Sequence, residues 1–233
     1  VYRNTLTCVK AVAAAARYGA FLAARRAPPT RPAGIDVEAA RALLAGASGT
    51  LTERASKQVL AAYGLPVTRE ALATSAAEAV RIAGQSGGAV ALKIESADIP
   101  HKTEAGAIRL GVKGPAAVRE AYKAVMDAAK SYKPQARLEG VLVQEMAPAG
   151  LEMMLGLVTD PVFGPVVVAG LGGIHVEVLR DVAYRVAPVD HAEARAMLDE
   201  LRGRKLLDGV RGAAPRDIEA MTDMVVRLSL IHI

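Results

Sequence analysis

The chain has 233 residues, 52% of them hydrophobic and 3% aromatic, so it can bury a sizeable core built mainly from aliphatic side chains. Its formal net charge is +5, but the basic residues are scattered and few aromatic rings are available for base stacking, so we expect no nucleic-acid binding. The single cysteine, Cys8, excludes an intramolecular disulfide and favours a cytoplasmic protein.

The first 35 residues contain no Asp or Glu, and basic residues are spread among many alanines. This composition is similar to that of a transit peptide, but we favour a surface helix over residues 9–26. The apolar run at 11–24 is interrupted by Arg17 and is too short to span a bilayer, so we expect no membrane insertion. Three prolines and a glycine at 27–34 predict an extended linker.

Apolar periodicity and capping residues predict further helices over residues 36–45, 53–60, 75–83, 115–130, 191–201 and 215–227. Short apolar or alternating runs predict strands over residues 65–67, 89–94, 107–112, 139–144, 152–158, 163–169, 176–179 and 184–189. Asp36 and Ser75 are the predicted N-caps, Glu78 occupies a capping-box position, and Gly64 ends the helix that begins at Glu53. The mixture predicts an α/β (α+β) fold of two subdomains that share a cleft.

Two neighbouring segments carry candidate anion-binding groups. Lys93 lies in an otherwise apolar strand, where its ammonium group either reaches solvent or meets an anion. The loop at 98–106 that follows contains His101, Lys102, Thr103 and Gly106. Cations beside backbone amides and a glycine can hold phosphates, although a merely solvated polar loop would have the same composition.

Two later segments offer groups suited to a nucleoside. An apolar strand ends in Gln144, Glu145 and Met146, whose backbone could contact an adenine edge, and Glu152 could accept hydrogen bonds from ribose hydroxyls. A strand that runs out into solvent would look the same. The glycines at 170, 172 and 173 permit close backbone approach to a ligand, but their spacing matches neither the Rossmann nor the P-loop pattern.

Taken together, the order and spacing of these motifs resemble the ATP-grasp domain of ADP-forming acyl-CoA synthetases, relatives of succinyl-CoA synthetase. The resemblance covers about residues 49–227 and rests on LTE at 51–53, AYGLPVT at 62–68, LKI at 92–94, HKT at 101–103, VQEM at 143–146, FGP at 163–165 and GLGG at 170–173. It implies the reaction acyl-CoA + ADP + phosphate ⇌ carboxylic acid + CoA + ATP, in which the phosphoryl group passes through histidine to the nucleotide.

The same resemblance implies roles for the candidate residues. Lys93 would bind nucleotide phosphates, and the loop that contains Lys102, Thr103 and Gly106 would cover them. The segment Gln144, Glu145 and Met146 would form the adenine hinge, with Glu152 near the ribose. His101 would be either a transient phosphoryl acceptor or a histidine that only hydrogen-bonds phosphate.

The resemblance also implies parts that lie outside this sequence. We expect residues 1–26 to be the last helix of a preceding CoA-ligase-like domain, 27–48 a linker with a short helix, and 49–233 an ATP-grasp domain that is truncated at its C-terminus. The cofactors implied are ATP or ADP, Mg²⁺ and CoA. The CoA site and the primary phosphohistidine would lie upstream, and an acidic-Ile-Asn-Pro segment with the Mg²⁺ ligands would lie beyond Arg227, and this chain stops first. We therefore assign no metal ligand here, expect this chain alone to be inactive, and expect the full protein to be an oligomer.

Several alternatives stay open at this point. Where the family has two adjacent glycines, this chain has Gly106 and Ala107, and a Cβ there would restrict approach to phosphate. The last six residues, LSLIHI, also match the translation of a transposon end used in sequencing libraries, so we hypothesise that they are adapter-derived; resequencing the locus tests this.

Two other functions compete: a regulatory ATP-grasp module of a protein lysine acetyltransferase, and a non-catalytic nucleotide-binding domain. The acyl substrate and the choice between ATP and GTP are undetermined.

Overall fold

The computed structural model describes residues 4–23, 30–173, 180–210 and 212–231, and the chain divides into two compact units, Val1–Arg31 and Pro32–Ile233. The first unit contains helix α1 (Thr5–Ala23), which begins where the Asn4 side chain accepts a hydrogen bond from the Thr7 backbone N–H at 2.8 Å. Helix α1 therefore starts four residues before the helix predicted at 9–26, and residues 24–26 of that prediction lie outside the described residues. Within the described ranges, no helix is long and apolar enough to cross a membrane.

The second unit contains six α-helices and a short 3₁₀ helix among its described residues. The helices are α2 (Val37–Leu44), α3 (Glu53–Ala62), α4 (Ala76–Gln85), α5 (Pro115–Tyr132), α6 (His191–Asp199), the 3₁₀ helix Arg204–Leu206, and α7 (Ile218–Ser229). The strands are β1 (Glu70–Ala73), β2 (Val90–Glu95), β3 (Ile108–Val112), β4 (Gly140–Glu145), β5 (Met153–Asp160), β6 (Gly164–Leu171) and β7 (Val182–Val186). The predicted N-caps Asp36 and Ser75 are confirmed, since each side chain accepts a backbone N–H of its helix.

The first sheet has the antiparallel order β1–β4–β2–β3, with α4 and α5 packed against it. Alternate residues of β2, namely Val90, Leu92 and Ile94, join the core with these two helices. Because successive side chains of a strand point to opposite faces, Lys93 projects from the other face. The period-two pattern of this strand thus separates a packed face from a face that can receive a ligand.

The second sheet has the antiparallel order β5–β6–β7. Helices α6 and α7 cover one of its faces, and their apolar side chains form a separate core with Val167, Ala169 and Ala183. Two sheets, each with its own helical layer and its own core, confirm the predicted α/β (α+β) fold of two subdomains.

A third, smaller core joins the start of this unit to its end. Tyr63 and Leu65, which follow α3, are buried against Leu230, which follows α7. One guanidinium nitrogen of Arg227 donates hydrogen bonds to the backbone carbonyls of Ala33, at 3.1 Å, and of Tyr63, at 3.3 Å. Helix α7 is therefore bound both to the second sheet and to the segment that carries α3.

One predicted strand is wrong, and another cannot be compared with the described residues. The strand predicted at 65–67 is wrong: this segment is not in a sheet, and pairing with β4 starts only at Glu70, opposite Gln144. Proline at 66 lacks the N–H that a sheet ladder requires, and Leu65 packs in the third core instead. The strand predicted at 176–179 lies outside the described residues.

Candidate functional site

The site is built around Lys93 on the open face of the first sheet. Lys93 lies opposite Leu142 of β4 and Ile108 of β3, so its strand, β2, runs inside the sheet rather than at an edge. Its side chain is only 17% exposed, and its ammonium group donates a hydrogen bond to Glu53 at 2.9 Å. Lys93 therefore does not reach solvent in the way a surface lysine does.

Glu53 gathers three ammonium groups around one carboxylate. Its Oε1 accepts from Lys57 and Lys93, each at 2.9 Å, and its Oε2 accepts from Lys102 at 2.9 Å. All four side chains are less than a quarter exposed. Sequence reasoning missed Glu53, because its spacing to Lys57 indicates only an ordinary ion pair along a helix.

Helix α3 is fixed so that Glu53 faces the sheet. Thr52 caps the helix by accepting the Ala55 N–H at 3.3 Å, and the Arg54 N–H donates to the buried carboxylate of Glu95, at the end of β2, at 3.2 Å. A carboxylate at a helix N-terminus satisfies free N–H groups and complements the helix dipole. The first turn of α3 is thereby held against the strand that carries Lys93.

The lysine on the next turn of α3 extends this charge network. Lys57 also donates to Glu70 of β1 at 2.5 Å and to the Thr68 hydroxyl at 3.1 Å. Burial alone would raise the pKa of Glu53, but the hydrogen bonds from Lys57, Lys93 and Lys102 outweigh it and lower this pKa from 4.5 to about 2. Burial alone would lower the pKa of Lys57, yet its two carboxylate partners raise it above its usual value. Both groups are therefore charged at neutral pH.

The loop between β2 and β3 closes over this cluster. Its internal hydrogen bonds join Ala105 N to His101 O at 3.2 Å, Gly106 N to Thr103 O at 3.0 Å, and Ala107 N to Lys102 O at 2.9 Å. Gly106 has φ +61°, a left-handed conformation that suits glycine. Ala107 is fully buried in the first core, so its methyl group packs under the sheet and is not part of the pocket lining.

A pocket of about 310 Å³ lies at this loop. It brings together four of the predicted residues and the glutamate that was missed; its lining is Glu53, Lys93, Pro100, His101, Lys102, Thr103, Glu104 and Ile108. Gly106 shapes the turn without lining the pocket. Two lysines, a histidine and a hydroxyl around a cavity of this size can bind a small anion such as a phosphate group.

The predicted hinge residues lie nearby on the same sheet. Gln144 is opposite Ala91, two residues from Lys93, so both side chains project from the open face. The buried Oε1 of Gln144 has no hydrogen-bond partner among the described residues. The carboxylate of Glu145 accepts from the backbone N–H of Arg69 at 2.8 Å and from its guanidinium at 2.7 Å, and both bonds lower the pKa of Glu145. Met146 is 42% exposed.

Glu152 is placed beside the glycine-rich turn of the second sheet. Its backbone carbonyl accepts the Gly172 N–H at 2.7 Å. A Cβ on Gly173, whose φ is +60°, would lie 2.6 Å from a carboxylate oxygen of Glu152. The glycines therefore make room for this carboxylate, but neither Glu152 nor the segment 144–146 lines the pocket that contains Lys93.

Comparison with known proteins identifies the family. A family model described as an ATP-grasp domain matches residues 42–233. The β subunit of ADP-forming acetate–CoA ligase I from Pyrococcus furiosus is 42% identical over 178 residues, which is 76% of this chain and 77% of that subunit. The chain belongs to the ATP-grasp family of ADP-forming acyl-CoA ligases. The family and the enzyme class predicted from the motifs, an acid–thiol ligase, are thus confirmed.

Two further relatives agree with this membership. ADP-forming acetate–CoA ligase I from Archaeoglobus fulgidus is 35% identical over 233 residues, which is 99% of this chain but only 34% of that protein. A structure of an acetyl-coenzyme A synthetase from Ca. Korarchaeum cryptofilum, in complex with coenzyme A and Ca-AMPCP, superimposes with a TM-score of 0.75. It is 43% identical, over 77% of this chain and 78% of that chain.

Mg²⁺ is bound by several oxygen ligands in close proximity. In the part of the chain that the structure describes, no three His, Cys, Asp or Glu side chains come together in this way.

Proposed function

We propose that this chain binds the phosphates of ATP or ADP between Lys93 and Lys102, as the nucleotide-binding part of an ADP-forming acyl-CoA synthetase. The observation that carries this proposal is the convergence of these two ammonium groups on the pocket at the loop that contains His101. Each ammonium has three N–H donors and gives one to Glu53, so two on each remain for phosphate oxygens. The complex of the Ca. Korarchaeum synthetase with Ca-AMPCP supports an adenine nucleotide.

The remaining predicted residues take parts in the same proposal. Gln144, Glu145 and Met146 stand at the end of β4, where the backbone can contact the adenine edge, and the carboxylate of Glu152 is available to ribose hydroxyls. Mg²⁺, when bound, neutralises phosphate charge during transfer. CoA belongs to the preceding domains in this proposal, and the full protein is an oligomer in the cytoplasm.

His101 is proposed to accept the phosphoryl group transiently. A neutral imidazole nitrogen of His101 attacks the phosphorus of an upstream phosphohistidine, whose own imidazole leaves as the new N–P bond forms. The terminal phosphate oxygen of ADP then attacks that phosphorus, the N–P bond breaks, and ATP and free His101 result. His101 is exposed and lines the pocket beside Lys102, which is the placement this relay needs.

The segment before residue 27 is proposed to be the end of a CoA-ligase-like domain. Support comes from the A. fulgidus ligase, which aligns with nearly the whole chain yet is about three times as long. Sequencing the locus upstream of Val1 tests this. An in-frame CoA-ligase sequence is expected, and a stop codon directly upstream would contradict the proposal.

Calorimetric titration of ADP tests nucleotide binding by this chain. Lys93→Ala should weaken binding by about tenfold or more, because it removes charge-assisted hydrogen bonds to phosphate. Lys123→Ala is the matched control, since Lys123 is exposed on α5 and lines no part of the pocket. Circular dichroism must show that all three proteins are folded. A folded parent that does not bind ADP, or a Lys93→Ala variant that binds as the parent does, would contradict the proposal.

A further inference from the structure

The loop that carries His101 is held firmly at its two ends, whereas its middle has few contacts with the rest of the protein. At its start, Asp98 accepts the Arg137 N–H at 2.8 Å, and Ile99 is buried in the first core. At its end, Ala105 and Ala107 are buried in the same core. Among the described residues between Ile99 and Ala105, the Lys102–Glu53 ion pair is the only polar contact with another helix or strand.

We propose that Glu53 is a positioning residue. Its carboxylate binds the ammonium groups of Lys102 and Lys93 at the same time, and it thereby holds the loop that carries His101 over the phosphate pocket. This inference rests on the proposed function and extends it to a residue of α3. Glu53 joins one lysine from the loop to one from the sheet, with 2.9 Å contacts to both. His101 directly precedes Lys102, so the same contact holds the backbone from which the imidazole extends.

The charges of the cluster show why a carboxylate is needed here. Three ammonium groups, on Lys57, Lys93 and Lys102, meet at Glu53, and Glu70 supplies a second negative charge to Lys57 alone. Without Glu53, Lys93 and Lys102 would repel each other in a partly buried site, and Lys102, which lies on the loop, would turn toward solvent. An arriving phosphate would then have to order this loop before using both cations.

Lys93 and Lys102 can bind a phosphate group while they stay hydrogen-bonded to Glu53. The carboxylate takes one N–H from each of Lys93 and Lys102, and each ammonium keeps two further donors. Glu53 therefore does not have to leave when an anion binds. Its function is to fix the donors in advance, which lowers the entropic cost of binding.

The test uses Glu53→Gln, which keeps the size of the side chain but removes its charge. We expect ADP to bind about tenfold more weakly than to the parent, while Glu38→Gln, an exposed change on α2, leaves binding unchanged. A double-mutant cycle with Lys102→Ala separates positioning from a general effect on the fold. If Glu53 acts through Lys102, the double variant loses clearly less affinity than the product of the two single losses.

A second measurement does not depend on nucleotide binding. An amine-reactive reagent, with labelled sites read by mass spectrometry, should modify Lys102 faster in Glu53→Gln than in the parent, and Lys123 at the same rate in both. If the parent fails to bind ADP, the proposed function fails while this labelling still tests the position of Lys102. Unchanged labelling of Lys102, or ADP binding by Glu53→Gln as tight as by the parent, would overturn the inference.

Discussion

Acid should destabilise this protein in part through one carboxylate, Glu53, and the size of the effect follows from its surroundings. Contacts with three lysines lower the pKa of Glu53 from 4.5 to about 2. A shift of this size corresponds to about 3 kcal/mol of unfolding free energy, an upper value for a side chain that is partly exposed to solvent. The pKa is depressed in the folded state, so this contribution is complete above the unfolded pKa and is lost as the pH falls toward the folded pKa.

The assay is urea unfolding of the parent and of Glu53→Gln at steps from neutral pH to about pH 2. The absolute curves are not diagnostic, because other carboxyl groups also have lowered pKa values; these are Glu78, Glu145, Asp160 and Asp199. The difference between the two proteins isolates Glu53. We expect the variant to be less stable at neutral pH by up to about 3 kcal/mol, and the difference to shrink as the medium is acidified below about pH 4.5. Parallel curves across this range would refute the reasoning.

Two glycine substitutions test other parts of the structure, with Gly34→Ala, at positive φ but with open space around it, as the control for both. Gly140→Ala should lower the unfolding free energy by roughly 2–4 kcal/mol in urea, because the new Cβ would lie 2.5 Å from the Ala73 carbonyl oxygen; a loss no larger than that of the control would contradict this. Gly173→Ala should weaken ADP binding by about tenfold in calorimetry, since its Cβ would displace the Glu152 carboxylate, and unchanged affinity would remove Glu152 from the proposed site.

Local patterns explain why much of the fold could be predicted. The apolar run at 89–94 predicts a buried strand, which β2 confirms, with Val90, Leu92 and Ile94 in the first core. Helix boundaries followed from capping residues such as Ser75, whose hydroxyl accepts the Glu78 N–H at 3.2 Å. These features depend on residues within one turn or one strand, so a single sequence contains the information for them.

The site could be predicted only in part, because its central contact joins residues far apart in the chain. Lys93 and the loop around His101 were found from their composition, whereas Glu53 lies 40 residues before Lys93 and 49 before Lys102. Within its helix, the spacing of Glu53 to Lys57 indicates only an ordinary ion pair on the surface. From the sequence, a lysine in an apolar strand could reach either solvent or an anion. In the structure the ammonium group of Lys93 meets an anion, the carboxylate of Glu53.

Helix α3 connects the pocket at the His101 loop to both sheets of the second unit. Its first turn is docked on β2 through the Arg54 N–H and Glu95, while the carbonyl of Tyr63, just past its last turn, accepts a hydrogen bond from Arg227 of α7. Since α7 packs on β5 and β6, the helix that holds Lys102 in place is fixed at one end by the first sheet and at the other by the helical layer of the second. Gly64 allows this second contact, because a Cβ there would lie 2.5 Å from the Arg227 guanidinium. The lysines of the pocket therefore depend on packing around α7 as well as on their own strand and loop.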